Sequence, residues 1–150
     1  MDSISKYGAC SENNWPYCIT QFAMSPIPPA IKAAHTHTNG FQFLNVPQDL
    51  THIKQVLVSG YPVVIGIQVY SSFESAQVAQ SGIVPMPTNI DQNLGGHCVQ
   101  IWGYNDSTQT FTCSNSWSEQ WGNKGYFTLP YKYALDSNLA SDFWTCRYFK

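Results

Sequence analysis

The sequence predicts an α+β chain whose C-terminal half is an antiparallel β assembly. Three stretches carry that expectation. In "VPQDLTHIKQVLVSGYP", Leu50, Ile53, Val56 and Leu57 recur at helical steps, and Gly60 and Pro62 end the run. "PVVIGIQVY" is β-branched and almost wholly apolar, which fits a strand covered on both faces. "HCVQIWGYN" and "TFTCSNSW" flank "NDSTQ", where Asn105, Asp106 and Ser107 supply turn chemistry, so the two runs read as a hairpin.

Taken in order, the chain opens with Ile4 and Tyr7 at helical spacing, followed by a turn-rich stretch. "AMSPIPPAIK" carries Pro26, Pro28 and Pro29 and predicts an extended, polyproline-like segment. The helix over Leu50 to Leu57 and the apolar strand follow. "SSFESAQVAQSG" reads as a short helix or loop. The hairpin comes next, and "GYFTLP" adds a strand after a turn at Gly122 and Gly125.

A chain of 150 residues with 43% hydrophobic and 15% aromatic residues can bury one sizeable core. Charged residues make up 11%, against roughly 25% in an average soluble chain, so part of the surface is expected to meet something other than water. A net charge of -2 indicates neither nucleic acid nor an anionic membrane as a partner. No run is long and apolar enough for a membrane helix, and "MDSISKYGACSENNW" lacks the apolar core of a secretory leader.

Five cysteines, an odd number, leave at least one thiol unpaired, and no Cys-x-x-Cys occurs. The bland reading is buried thiols in a reducing interior, packed as small hydrophobes. His35 and His37, with His52 further on, lack a carboxylate or cysteine at ligand spacing, so no metal site is expected and no cofactor is implied. Asn105-Asp106-Ser107 fits a glycosylation sequon, although an Asx turn explains it equally well.

The chemistry sits in the hairpin. His97, Val99 and Ile101 share one strand face, and Phe111, Cys113 and Asn115 share a face on the return strand. A turn centred near residues 105 to 109 sets position 97 beside 115. An amide oxygen there can hold one imidazole nitrogen and fix the tautomer, leaving the other to exchange a proton with a thiol. The bland alternative is a satisfied strand histidine and a turn asparagine.

These residues also carry a resemblance. "GGHCVQIWGYND" followed by "FTCSNSWSEQWGNKGYFTLP" resembles the His and Asn signatures of papain-like cysteine proteases. "YGACSENNWPY" and "LVSGYPVVIGIQVYSSFESAQ" extend the likeness over nearly the whole chain. The resemblance implies a papain-like cysteine proteinase fold, mainly its antiparallel β-barrel-like half. Residues 1–50 would be the tail of a truncated helical half and 51–150 the β-rich half of a single partial domain. It implies His97 as catalytic base and acid and Asn115 as its orienter. Gly95, Gly96, Cys98, Trp117 and Trp121 would border the substrate cleft. Trp117 would shield the His–Asn hydrogen bond, and Trp121 would line the leaving-group side.

The sequence departs from the family pattern in two places that matter. No Cys-Gly-Ser-Cys-Trp-like stretch with its preceding glutamine occurs, and none of Cys10, Cys98 or Cys113 makes a convincing substitute nucleophile. Ser118 stands where the family usually has glycine. The 150 residues alone are therefore expected to be inactive in peptide-bond hydrolysis. A peptide or protein substrate is expected if the chain is active, and a further protein chain or larger assembly is expected over the helical half. The alternative is a non-catalytic papain-like structural or binding module, for example a component of a viral particle. Virion or cytoplasm would suit either reading.

Overall fold

The structure, a computed structural model, describes residues 2–36, 38 and 41–148. It resolves into two compact units, Met1–Phe43 with Cys146–Lys150, and Leu44–Thr145. Among the described residues, no helix is long and apolar enough to cross a membrane.

The first unit holds helices α1 (Asp2–Tyr7) and α2 (Pro28–His35), with a 3-10 turn at Ile19–Gln21 between them. Here one expectation fails. The proline-rich stretch is extended only as far as Ile27, and α2 begins at Pro28. Pro28 and Pro29 occupy the first two helical positions, where the missing N–H is no loss and a fixed φ already suits the helix. Ala30 is buried on this helix.

The second unit opens with α3 (Leu50–Val58). The Asp49 side chain caps it by accepting from the N–H groups of Thr51 (3.0 Å) and His52 (3.1 Å). Ile53 is fully buried, and Leu50, Val56 and Leu57 pack against the same core, so the predicted stripe is the buried face. Strand β2 (Val63–Tyr70) alternates buried and half-buried residues. It is flanked on one side by β3 (Asn93–Asn105) and on the other by β6 (Ala140–Tyr148), both antiparallel. That central position is why its sequence is apolar on both faces. Strand β4 (Thr110–Ser114) pairs with β3, and β5 (Tyr126–Pro130) pairs with β4. With β1 (Phe41–Asn45) the strand order is β1-β6-β2-β3-β4-β5. Neither β1 nor β6 was expected from the sequence. Two short helices complete the unit, α4 (Ala76–Ser81) and α5 (Tyr131–Leu135).

Ile65, Ile67, Ile101, Phe111, Phe127 and Leu129 form the centre of the core, each at most 2% exposed. Burial of such side chains contributes about 1.5–3 kcal/mol apiece before entropy is counted.

The β3–β4 hairpin closes later than the sequence suggested. Asn105 pairs with Thr110 and Gln100 with Ser114, and the register shifts between Ile101 and Gly103. The bulge at Trp102 spends one extra residue on β3. The tip is an Asx turn, in which the Asn105 carboxamide oxygen accepts from the N–H (2.9 Å) and hydroxyl (2.7 Å) of Ser107. Lys54 of α3 pairs with Asp106 at this tip, and Tyr131 donates its hydroxyl to the same carboxylate at 3.0 Å. The Lys54 hydrogen bond, then that of Tyr131, holds the Asp106 carboxyl below the usual carboxylate range.

Candidate active site

The site is the end of a face whose remainder is core. Val99 and Ile101 on β3 are buried, and His97, two residues before Val99, is half-buried at the margin. Phe111 and Cys113 on β4 are buried, and Asn115 follows on the same face just after the strand ends. The Asn115 N–H donates to Gly125 O at 2.8 Å, which pins the point where the chain leaves the sheet.

His97 Nε2 and Asn115 Oδ1 lie 2.9 Å apart. The same oxygen accepts the N–H of Ser116 at 2.8 Å. A flipped carboxamide would set its NH2 group against that N–H, so the orientation is fixed by the backbone. An acceptor-only oxygen requires Nε2 to carry hydrogen, which leaves the lone pair of the neutral ring on Nδ1. Asn115 Nδ2 is buried and has no hydrogen-bond partner among the described residues.

An aromatic column backs the imidazole. Trp117 stacks on His97 with centroids 5.1 Å apart and planes 28° from parallel. Trp121 meets Trp117 edge-on at 5.2 Å. Phe73, 1% exposed, touches both indoles at 5.6 Å and Phe127 at 5.4 Å. The column therefore runs from the core to the imidazole. Phe73 was not singled out from the sequence. Its only signal was one large apolar residue within the polar run "SSFESAQ".

Of the residues expected at the site, His97, Asn115, Trp117 and Trp121 come together. Gly95 and Gly96 lie immediately before His97 on β3, exposed, opposite Val69 and Gln68 of β2. Cys98 is exposed on the other strand face. There, with Val64, Gln100, Ser114 and Ser116, it lines a shallow cavity of 270 Å³ that Asn115 also borders.

The reading of buried thiols holds for Cys113 and not for Cys18 or Cys98, which are exposed. Cys113 is buried, and that burial pushes its thiol far above the usual range. Cys10 and Cys146 are intermediate, and burial raises the Cys146 thiol. Cys18 is exposed, and the Thr20 hydroxyl lowers its thiol. Among the described residues no group of three or more His, Cys, Asp or Glu side chains converges as a metal site would require. His52 pairs with Asp49, and His37 lies outside the described residues.

Ser118 adopts φ +83° in the excursion between Asn115 and Gly125. This is the left-handed region, where a Cβ costs roughly 1–2 kcal/mol. Ser118→Gly is therefore expected to raise stability by about 0.5–1.5 kcal/mol. Urea unfolding followed by tryptophan fluorescence checks it, and unchanged or lowered stability would count against the strain argument.

The α+β sheet order and the His–Asn–Trp arrangement together define a papain-like fold. Xylellain, a cysteine protease from Xylella fastidiosa, superposes with a TM-score of 0.92 at 31% identity over 99% of this chain and 60% of its own. The papain family cysteine protease model matches residues 1–144, and the chain belongs to that family. A peptidase C1-like protein of Acanthamoeba polyphaga mimivirus is 42% identical over 96% of this chain and 49% of its own length. A cathepsin B-like cysteine proteinase of Ostertagia ostertagi is 31% identical over 56% of this chain and 47% of its own. The chain thus spans about half the length of the curated relatives it matches.

Proposed function

We propose that this chain supplies the proton-handling half of a Cys–His–Asn peptide hydrolase. The 2.9 Å contact between His97 Nε2 and Asn115 Oδ1, under the Trp117 indole, carries the reading. Asn115 holds the ring and its tautomer, and Nδ1 accepts the thiol proton. The thiolate attacks the scissile carbonyl carbon, and the imidazolium returns the proton to the departing amine, leaving a thioester. His97 Nδ1 then takes a proton from water as the hydroxide attacks the thioester carbonyl and expels the thiolate, which releases the acid and restores the thiolate–imidazolium pair. Trp117 limits water access to the hydrogen bond that orients the ring.

The nucleophile in this reading is a cysteine from polypeptide outside these 150 residues, carried on a segment or partner chain that packs against the helical portion. Within the β-rich unit, Cys113 is buried and Cys98 faces away from the imidazole, so neither is placed to serve. The same observation favours a second reading for the 150 residues by themselves, a non-catalytic binding or structural module.

A peptidyl epoxide probe, with the labelled cysteine mapped by mass spectrometry, tests the proposal. The isolated chain should show only background labelling at its five thiols. The assembled enzyme should be labelled at a cysteine outside them, and that labelling should depend on His97. Selective labelling of Cys10, Cys18, Cys98, Cys113 or Cys146, lost on His97→Ala, would overturn the external-nucleophile proposal.

A further inference from the structure

Beside the aromatic column lies a shallow, open cavity of 350 Å³ lined by Glu74, Ala79, Trp117 and Trp121. Its walls combine two indoles with one carboxylate. Glu74 follows Phe73, and burial of Phe73 under both tryptophans fixes the backbone from which the carboxylate projects. Glu74 is exposed, and among the described residues it makes neither an ion pair nor a side-chain hydrogen bond. The neighbouring carboxylate Asp91 is occupied. It accepts from Thr88 N–H and hydroxyl and from Ser71 and Ser72.

An unpaired carboxylate at the edge of two indoles suits one ligand chemistry. A cation gains Coulomb attraction from the carboxylate and quadrupole attraction from the rings. A carboxylate ligand would be repelled, and a neutral aliphatic chain would gain only apolar contact. Trp117 is shared between this cavity and the imidazole stack, so a group seated here lies one ring away from His97.

We propose that this cavity is a cation-accepting subsite that takes an ammonium or guanidinium group of a peptide, with Glu74 as the selecting residue. As a determinant of substrate choice it rests on the peptidase reading above. It would bias cleavage toward peptides carrying lysine or arginine next to the scissile bond, on the Trp117 side of His97. The predicted preference is about 3- to 30-fold, the range expected for one exposed ion pair added to an exposed cation–π contact.

The test uses the 150-residue chain, labelled with 15N, and follows the indole N–H resonances of Trp117 and Trp121. Acetyl-Gly-Lys-Gly-amide and its arginine, norleucine and glutamate counterparts are titrated in turn. Gly-norleucine-Gly-amide with a free amino terminus separates a terminal ammonium from a side-chain cation. Both basic peptides should shift the two resonances with a Kd about 3- to 30-fold below those of the norleucine and glutamate peptides. Glu74→Gln should reduce that difference by the ion-pair share, about 1.5- to 5-fold, leaving the part the indoles supply, and Glu74→Lys should reverse it in favour of glutamate. Tight binding of the free-terminus peptide as well would extend the subsite to terminal ammonium groups. Equal Kd values for all peptides, or a preference left undiminished by Glu74→Gln, would overturn the proposal. The titration needs no turnover. A negative probe-labelling result therefore leaves it standing, and a negative titration leaves the labelling result standing.

Discussion

Replacing Phe73 by alanine is expected to destabilise the β-rich unit by about 3–5 kcal/mol, the range for deleting a buried phenylalanine ring. The residue is 1% exposed and contacts Trp117, Trp121 and Phe127, so the vacated space borders rings on three sides. Rings pinned elsewhere cannot collapse fully into it, and this places the cost toward the upper end. Urea unfolding gives the stability change. A second readout is the ring-current shift of the His97 imidazole protons, which reports the stack with Trp117. Phe73→Leu should recover much of the stability by refilling volume while still altering that shift. A loss below about 1 kcal/mol for the alanine variant would mean that the column contributes little to holding the site.

The second large effect is expected at Gly122. It has φ +62°, and a Cβ there would lie 2.6 Å from Tyr126 O and 3.4 Å from the Cα of Gly82. Gly82, the C-cap of α4, faces the same carbonyl: a Cβ on it would lie 2.7 Å from Tyr126 O. Gly122 N–H also donates to Ala79 O at 2.7 Å, so α4 is docked on the 122–126 turn by close backbone approach. Gly60 offers an internal control. Its φ is +83°, but nothing lies within 4 Å of the place a Cβ would take. Gly60→Ala should cost only the left-handed backbone strain, about 1–2 kcal/mol. Gly122→Ala must add displacement of backbone atoms and should cost roughly 3 kcal/mol or more. Thermal or urea unfolding of both variants decides it, and equal losses would show that the turn yields freely.

How much could be read beforehand follows from how local each signal is. The α3 stripe and the apolar β2 run were legible because each element shows its burial in its own residues, Ile53 and Val63 to Val69 among them. The hairpin was legible too, but the register was not. Its turn is four residues long, and the bulge at Trp102 depends on partners rather than on composition. That register, continued, would set residue 97 opposite 117. The His97–Asn115 contact arises instead because β4 ends at Ser114 and the chain turns away, tied to Gly125. The expectation named the right pair through slightly wrong geometry. Strands β1 and β6 escaped notice because their pairing joins residues about a hundred positions apart, as between Asn45 Nδ2 and Phe143 O at 3.1 Å. Phe73 and Glu74 escaped for the same reason, since only the folded sheet brings "SSFESAQ" to the tryptophans.

The imidazole–indole stack serves two purposes at once. It holds the His97 ring in place, and it also seals the open end of an apolar interior whose other rungs are Val99, Ile101, Phe111 and Cys113. A relative without hydrolytic chemistry would still lose cohesion on discarding those rings. The His…Asn-Ser-Trp signature should therefore persist as architecture whether or not a chain that carries it turns over peptides.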